Sequence, residues 1–205
     1  MAAQTSLLAL SFAALLLIGG ESATFTIKNN CPMTIWPAAF TGEGSQPSTT
    51  GHLPYRRVRT WRRSLQWSYG VPPATLVEFT LNDNGGLDTY DISNVDGSNL
   101  RVTLAPDNSA CVTTSCLGDI NADCPADLAR KSGSETVGCL SDCAALNRPE
   151  DCCTGAFNTT QTCQPSRSAN YFKEKCPQAY GYAFHDQTST FTCSTGTNYR
   201  ITFCP

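Results

Sequence analysis

Twelve cysteines stand behind an apolar N-terminal run, and they are unevenly spread. Cys31 is alone near the start, none follows until Cys111, and the rest crowd between there and Cys204, with Cys152 and Cys153 adjacent. An even cysteine count behind an export signal reads as a disulfide framework. Zinc is the rival use of clustered cysteines. It fits poorly, because the chain has two histidines, His52 and His185, and no CxxC pair repeated at zinc spacing. Structural disulfides are therefore expected, with no metal and no cofactor. Pairing does not follow from the count, since twelve cysteines allow about ten thousand connectivities. In the chain-entropy model a bridge tying the two ends of the mature chain is worth roughly 5 kcal/mol, and a ten-residue loop about 3 kcal/mol.

The leader sets the compartment. Leu7–Ile18 is apolar but too short to span a bilayer, and no stop-transfer segment follows. Cleavage after Ser22 puts small residues at the −3 and −1 positions. Residues 1–22 are thus expected to be a signal peptide, and residues 23–205 a secreted domain with no stable membrane anchor. The near balance of 14 basic and 17 acidic residues gives no reason to expect a nucleic acid partner. Asn158-Thr159-Thr160 is an N-glycosylation acceptor triplet.

Periodicity describes a β-rich chain around a loop-rich insert. Thr24–Lys28, Thr75–Leu81, Asp88–Ser93, Leu100–Leu104, Ser189–Cys193 and Tyr199–Phe203 read as strands, with Met33–Trp36 as a further partner strand. Pro125–Lys131 and Ala169–Lys175 fit short helices. These patterns divide the domain into a β core at 23–115 and 177–205 and a lobe at 116–176. The lobe is too poor in apolar residues for a core of its own, so disulfides are expected to hold it. Residues 52–72 differ from their surroundings. Arg56, Arg57, Arg59, Arg62 and Arg63 interleave there with Trp61 and Trp67, as in a solvated loop, a frame-shifted segment or a membrane- or nucleic-acid-binding stretch.

Three carboxylates carry the functional argument. A two-residue turn at Asn84-Gly85 would set Glu78 directly opposite Asp91, on the face away from Val77, Phe79 and Ile92. Asp96 follows in the next loop. Like charges opposed across strands are destabilising, so they need solvent or a use. Glycoside hydrolysis uses such a pair, about 5–5.5 Å apart in retaining enzymes and about 6.5–9.5 Å in inverting ones. An acidic cleft that binds sugar hydroxyls or a basic partner is the second use, and a wet sheet face is the third reading. No GxSxG, HExxH or phosphate loop is present. Whether the chain is an enzyme stays open, with Glu78 and Asp91 the candidate catalytic residues.

Several segments together resemble one family: ATFTIKNNCPMTIWPAA at 23–39, PPATLVEFTL at 72–81, GGLDTYDISNVDG at 85–97, CPADL at 124–128, ALNRPEDCCTG at 145–155, FKEKCPQAY at 172–180, TSTFTC at 188–193 and NYRITFCP at 198–205. They are similar to the thaumatin-like proteins, the plant pathogenesis-related group 5 family. The resemblance covers 23–50 and 72–205. It implies a flattened antiparallel β-sandwich with a disulfide-rich lobe of loops and short helices. It also implies the pairs Cys31–Cys204, Cys111–Cys193, Cys116–Cys176, Cys124–Cys139, Cys143–Cys152 and Cys153–Cys163. An acidic cleft of one Arg, one Glu and three Asp is implied too, with Glu78, Asp91 and Asp96 on the Glu and first two Asp, and Asp186 on the third. The implied function is a secreted, apoplastic, antifungal defence protein, monomeric, that binds fungal-wall β-1,3-glucan. The alternatives are a weak endo-β-1,3-glucanase, an inhibitor of microbial glycosidases or a truncated, inactive variant. Long members of the family carry sixteen cysteines. The missing four belong between Gly51 and Pro72, where the cleft Arg also belongs, so the segment there is shortened and atypical.

Overall fold

The computed structural model describes residues 23–38, 71–83 and 85–205. The leader at 1–22 and the Arg/Trp stretch up to residue 70 lie outside the described residues. Strands β1 (Phe25–Asn29), β2 (Leu76–Asp83), β3 (Leu87–Ser93), β4 (Val102–Pro106) and β5 (Thr114–Cys116) come first, followed by the hairpin β6 (Ala129–Ser132) and β7 (Glu135–Cys139). Four short helices follow: α1 (Asp142–Leu146), α2 (Pro149–Cys152), α3 (Arg167–Lys175) and α4 (Asp186–Ser189). Strands β8 (Phe191–Ser194) and β9 (Tyr199–Phe203) close the chain. One sheet runs β1-β9-β4-β5 and a second runs β2-β3-β8.

The two sheets meet through aromatic rings. Phe79 on β2 packs edge-on to Phe25 on β1 at 4.6 Å and to Tyr199 on β9 at 4.9 Å, and Tyr90 on β3 lies 5.5 Å from Tyr199. Polar ties cross this core as well, among them the Tyr199 hydroxyl, which donates to Asp88 Oδ2 at 3.0 Å. Burial, and then that hydrogen bond, push the Tyr199 phenol up. A buried carboxylate needs such donors, and the Asn82 backbone N–H supplies a second at 2.9 Å.

The sandwich is not wholly antiparallel, because β1 and β9 pair in parallel from Phe25↔Tyr199 to Asn29↔Phe203. The direction has a consequence. Both strands end at the same edge, so Cys31 and Cys204 emerge side by side and are joined by a disulfide. Asn29 shapes that exit, its side chain accepting from Cys31 N (2.8 Å) and donating to Met33 O (2.9 Å). The other disulfides are Cys111–Cys193, Cys116–Cys176, Cys124–Cys139, Cys143–Cys152 and Cys153–Cys163.

Local expectations need correction at several points. Met33–Trp36 is not a strand; Ile35 and Ala38 hold only isolated bridge positions. Pro125–Lys131 is not a helix. A single turn, with Ala129 N donating to Pro125 O at 3.0 Å, runs directly into β6, whose pairing with β7 takes over the backbone groups. The strand expected at Leu100–Leu104 lies at Val102–Pro106, and the one expected at Ser189–Cys193 starts at Phe191, because residues 186–189 form α4. Helix α3 starts earlier than Ala169, at Arg167, since Ser166 Oγ caps it by accepting from Ala169 N.

The lobe does not stand apart. Its buried Ile120, Leu128, Leu140 and Phe172 belong to the same apolar cluster as Tyr90, Ile92 and Leu104 of the sheets. A reciprocal clamp holds its helices together: Asp142 N donates to Ser168 Oγ (2.7 Å) and Ser168 N donates to Asp142 Oδ2 (2.8 Å). Burial raises the Asp142 carboxyl, but the Ser168 and Ser166 hydrogen bonds and the Arg167 charge outweigh it and hold the net value below the usual range. Asn158 is exposed at the end of a 3-10 turn, Gly155–Phe157.

Two measurements follow from this architecture. Alkylation of the unreduced, denatured protein leaves its mass unchanged, since the described cysteines are all paired; added carbamidomethyl groups would contradict the pairing. Asp142→Asn, which keeps the shape and removes the charge, lowers stability in urea by about 1–3 kcal/mol at neutral pH. The depressed Asp142 value gives the sign of its pH dependence: the contribution is complete above the unfolded carboxyl value and disappears as pH falls through the folded one. The gap between variant and wild type therefore closes in acid, and a gap that stays constant to about pH 2 would exclude the ionised clamp.

Candidate functional site

Strands β2 and β3 pair antiparallel with Leu76 opposite Ser93, Glu78 opposite Asp91 and Thr80 opposite Thr89. The tight turn expected at Asn84-Gly85 is replaced by a wider one. The register shifts between Thr80 and Asp83, so that Asp83 pairs with Leu87. Asn82, Gly85 and Gly86 all take positive φ there. Asn82 N donates to buried Asp88, which pins the irregularity to the core. Carried straight on from Asp83↔Leu87, the register would set Glu78 opposite Ile92; the shift between Thr80 and Asp83 offsets the extra residue and restores Glu78 opposite Asp91.

Alternation on β3 then separates two functions. Asp88, Tyr90 and Ile92 are fully buried between the sheets. Thr89, Asp91 and Ser93 face the other way, into an open groove of about 540 Å³ that Glu78, Asp96 and Tyr180 also line. Asp96 is presented by the turn Asn94–Gly97, closed by Gly97 N donating to Asn94 O at 2.9 Å. Gly97 has φ +93°, and a Cβ there would run into the carbonyl oxygen of Cys139, so glycine is required.

The wall opposite β2 comes from distant sequence. After the Cys116–Cys176 staple, Tyr180 docks on the end of β3: its N–H donates to Ile92 O and its C=O accepts from Asn94 N, both at 2.8 Å. The Tyr180 hydroxyl donates to Asp186 Oδ1 at 2.8 Å and forms a second hydrogen bond with Thr190 Oγ1. Asp186 thus joins the groove through Tyr180. His185, just before it, accepts at Nδ1 from Gly181 N at 3.0 Å. Burial, and then the Lys173 charge, lower the imidazole to about 4, so it is neutral at physiological pH.

Electrostatics set the two facing carboxyls apart. Burial pushes Asp91 up to about 7, helped by the charges of Glu78 and Asp186. Its Oδ1 is buried with no hydrogen-bond partner among the described residues. Glu78 is the more exposed of the pair. Burial raises it as well, against a hydrogen bond from Ser93 and with the charge of Asp96. Below neutrality the groove therefore offers a protonated Asp91 beside Glu78, a donor next to an acceptor.

The structure brings Glu78, Asp91 and Asp96 to one surface and ties Asp186 to it. Among the described residues no Arg or Lys lines the groove, and Arg56–Arg63 lie outside them. Sequence reasoning missed Tyr180, Ser93 and Thr190. No spacing rule links Tyr180 to a strand some ninety positions earlier; its place just after a disulfide was the available cue.

Fold and groove together define a disulfide-stapled β-sandwich with a carboxylate-lined open cleft. Comparison with known proteins gives this class a family. The family model described as "Thaumatin family" matches residues 62–205. "Thaumatin-like protein 1" of Pyrus pyrifolia is 43% identical over 227 aligned positions, covering 91% of this chain and 93% of that protein. "Pathogenesis-related protein 5" of Arabidopsis thaliana is 37% identical over 88% of this chain and 90% of its own. A Prunus avium protein named "Glucan endo-1,3-beta-glucosidase" is 37% identical over 97% of each chain. The chain belongs to the thaumatin family. The Pyrus alignment is longer than the 205 residues of this chain, so that relative holds positions which this chain lacks.

The raised Asp91 value fixes a further expectation. A carboxyl that keeps its proton to about pH 7 when folded, and loses it near 4 when unfolded, makes the fold less stable as pH rises between those values. Asp91→Asn removes that decline. The variant matches wild type in urea near pH 4 and exceeds it at pH 8. An identical pH dependence in the two proteins would show that Asp91 ionises normally.

Proposed function

We propose that this protein is a secreted defence protein of the pathogenesis-related type that binds β-1,3-glucan of fungal walls in the Glu78–Asp91 groove and so restrains fungal growth. One observation carries the reading: two carboxyls face each other across neighbouring strands in an open groove, with Asp96 and Asp186 close by. Opposed carboxylates weaken a sheet, so their place in an open groove of about 540 Å³ calls for a ligand that uses them. Neutral sugars present vicinal hydroxyls, each both donor and acceptor. A protonated Asp91 as donor and the carboxyl oxygens of Glu78 as acceptors match such a pair. Family membership supports the defence assignment, and six disulfides fit an oxidising, extracellular destination.

A second reading, weak hydrolysis, has its own support. A carboxyl that holds its proton to about pH 7 beside a second carboxyl suits general acid catalysis. In a retaining mechanism Asp91 would protonate the leaving glycosidic oxygen while Glu78 attacks the anomeric carbon. Water, deprotonated by Asp91, would then release the sugar and restore both groups. A relative named as a glucan endo-1,3-beta-glucosidase points the same way.

The two readings separate in one experiment. The secreted protein sediments with insoluble β-1,3-glucan, and Glu78→Ala with Asp91→Ala weakens that retention at least tenfold, about what the loss of one or two charge-assisted hydrogen bonds costs. Full retention by the double variant would remove the groove as the binding site. Hydrolysis predicts reducing ends released from laminarin near pH 5 and abolished by Asp91→Asn. Release no greater than buffer alone would leave binding and end the enzymatic reading.

A further inference from the structure

Tyr180 links the end of β3, the groove and α4. Its backbone is fixed to β3 by two hydrogen bonds, to Ile92 O and from Asn94 N. Tyr180 lines the groove together with Asp91. Its hydroxyl donates to Asp186 at the start of α4 and is hydrogen-bonded to Thr190 at its end. One residue therefore lines the groove and holds the Asp186 carboxylate.

We propose that Tyr180 is the positioning residue of the groove: its hydroxyl holds the Asp186 carboxylate where its charge acts on Asp91, and its ring is a wall against which a bound sugar packs. The second half rests on the glucan-binding reading above; the first does not.

The groups around Asp91 can be named element by element. Glu78 faces it from β2. Asp96 follows it in the turn after β3, and Tyr180 and Asp186 face it from the segment before β8, with Thr190 bonded to Tyr180. Behind them His185 is neutral, and Lys173 spends its ammonium on Ala179 O (3.1 Å) and Ser189 Oγ (2.7 Å). The charges that act on Asp91 are thus negative: Glu78 and Asp186 both raise it. Glu78 is fixed by strand register. Asp186 is exposed on a four-residue helix, and the Tyr180 hydroxyl is what sets its direction. Without that donor, the carboxylate turns toward water and its repulsion on Asp91 is screened. Asp91 then ionises earlier. Ionisation removes the donor of the donor–acceptor pair and adds a second negative charge beside Glu78, so neutral sugar binding falls at a lower pH than in wild type.

The ring adds the other half. Phenol faces pack against the C–H faces of pyranose rings, and Tyr180 is held at its backbone and at its hydroxyl before any ligand arrives. Its hydroxyl is committed as donor to Asp186; burial, ahead of the nearby carboxylates, raises the phenol to about 12, so it stays protonated across the working range.

The test uses the full secreted chain and has two arms. In the first, carbon-detected NMR follows the Asp91 carboxyl through pH 4–9 without sugar. Tyr180→Phe keeps the ring and removes the hydroxyl, and the Asp91 midpoint falls by about half a pH unit or more. Asp186→Asn lowers it as well, and the double variant goes no lower than Asp186→Asn alone, because both changes remove one interaction. An unmoved or raised midpoint in Tyr180→Phe, or shifts that add, would overturn the positioning role. In the second arm, calorimetry follows a soluble β-1,3-gluco-oligosaccharide. At pH 5.5 Tyr180→Phe binds within about twofold of wild type, while Tyr180→Ala binds roughly three- to tenfold more weakly. Equal binding by Tyr180→Ala would take the ring out of the contact. Wild-type binding falls as pH passes 7, and Asp91→Asn, a permanent donor, loses that pH dependence. If the wild type binds no oligosaccharide at any pH, the glucan reading fails and the first arm still decides the positioning role.

Discussion

Strand β3 runs through the middle of its sheet, with β2 on one side and β8 on the other, and its register serves two opposed ends. Its inward face buries Asp88, Tyr90 and Ile92; its outward face lines the groove with Thr89, Asp91 and Ser93. A slip of one residue would exchange the faces, sending Asp91 into the core and Ile92 into water. Two anchors oppose such a slip. Asp88 takes hydrogen bonds from Tyr199 on the facing sheet and from the Asn82 irregularity on β2. Cys193, opposite Asp88 on β8, is bonded to Cys111. The buried Asp88 at one end of β3 therefore guarantees where the groove-facing Asp91 sits further along.

The same economy appears in the staples. A lobe with few apolar residues needs cross-links, and Cys116–Cys176 and Cys124–Cys139 supply them. Yet Ile120, Leu128, Leu140 and Phe172 continue the apolar cluster of the sheets. Cross-links restrict the unfolded chain while this shared cluster stabilises the folded one. The Cys116–Cys176 bridge also has a positional effect. It fixes the end of α3 against β5, and the chain that leaves it delivers Tyr180 to the end of β3. A cross-link that looks purely structural thus helps to build the groove.

What could be read from the sequence follows the range of the interactions involved. The Glu78–Asp91 pairing was legible because a hairpin is local and alternation sets its faces, and it survived a wrong turn because the irregularity between Thr80 and Asp83 offsets the extra residue there. Tyr199–Phe203 was legible for the same reason. The Pro125–Lys131 helix failed because local propensity favoured one turn, whereas pairing with β7 decided the rest. The parallel β1–β9 pair could not be read at all, since it joins the two ends of the chain and leaves no local pattern. Tyr180 and Asp186 reached the groove by that kind of distant pairing. Asp186 was placed there through family resemblance, Tyr180 only by the structure.

The groove also shows how a protein handles like charges that its fold forces together. The family pattern supplies an Arg to the cleft, but among the described residues no Arg or Lys lines it. Four carboxyls in and around one groove then have two ways to relieve their repulsion, solvent and protons. Glu78 has the better access to solvent. Asp91 has the worse, with one oxygen buried and unpartnered. The proton is therefore expected to go to Asp91, and the value of about 7 reflects that division. A proton serves as counterion here with an effect that a fixed cation would not have. It turns one of two equivalent acceptors into a donor, and it leaves as the pH rises. A groove neutralised by Arg would keep one character across the physiological range. One neutralised by a proton suits hydroxylated ligands in acid and becomes purely acceptor-lined and anionic above neutrality, so the same shape would favour neutral sugar on one side of pH 7 and cationic groups on the other.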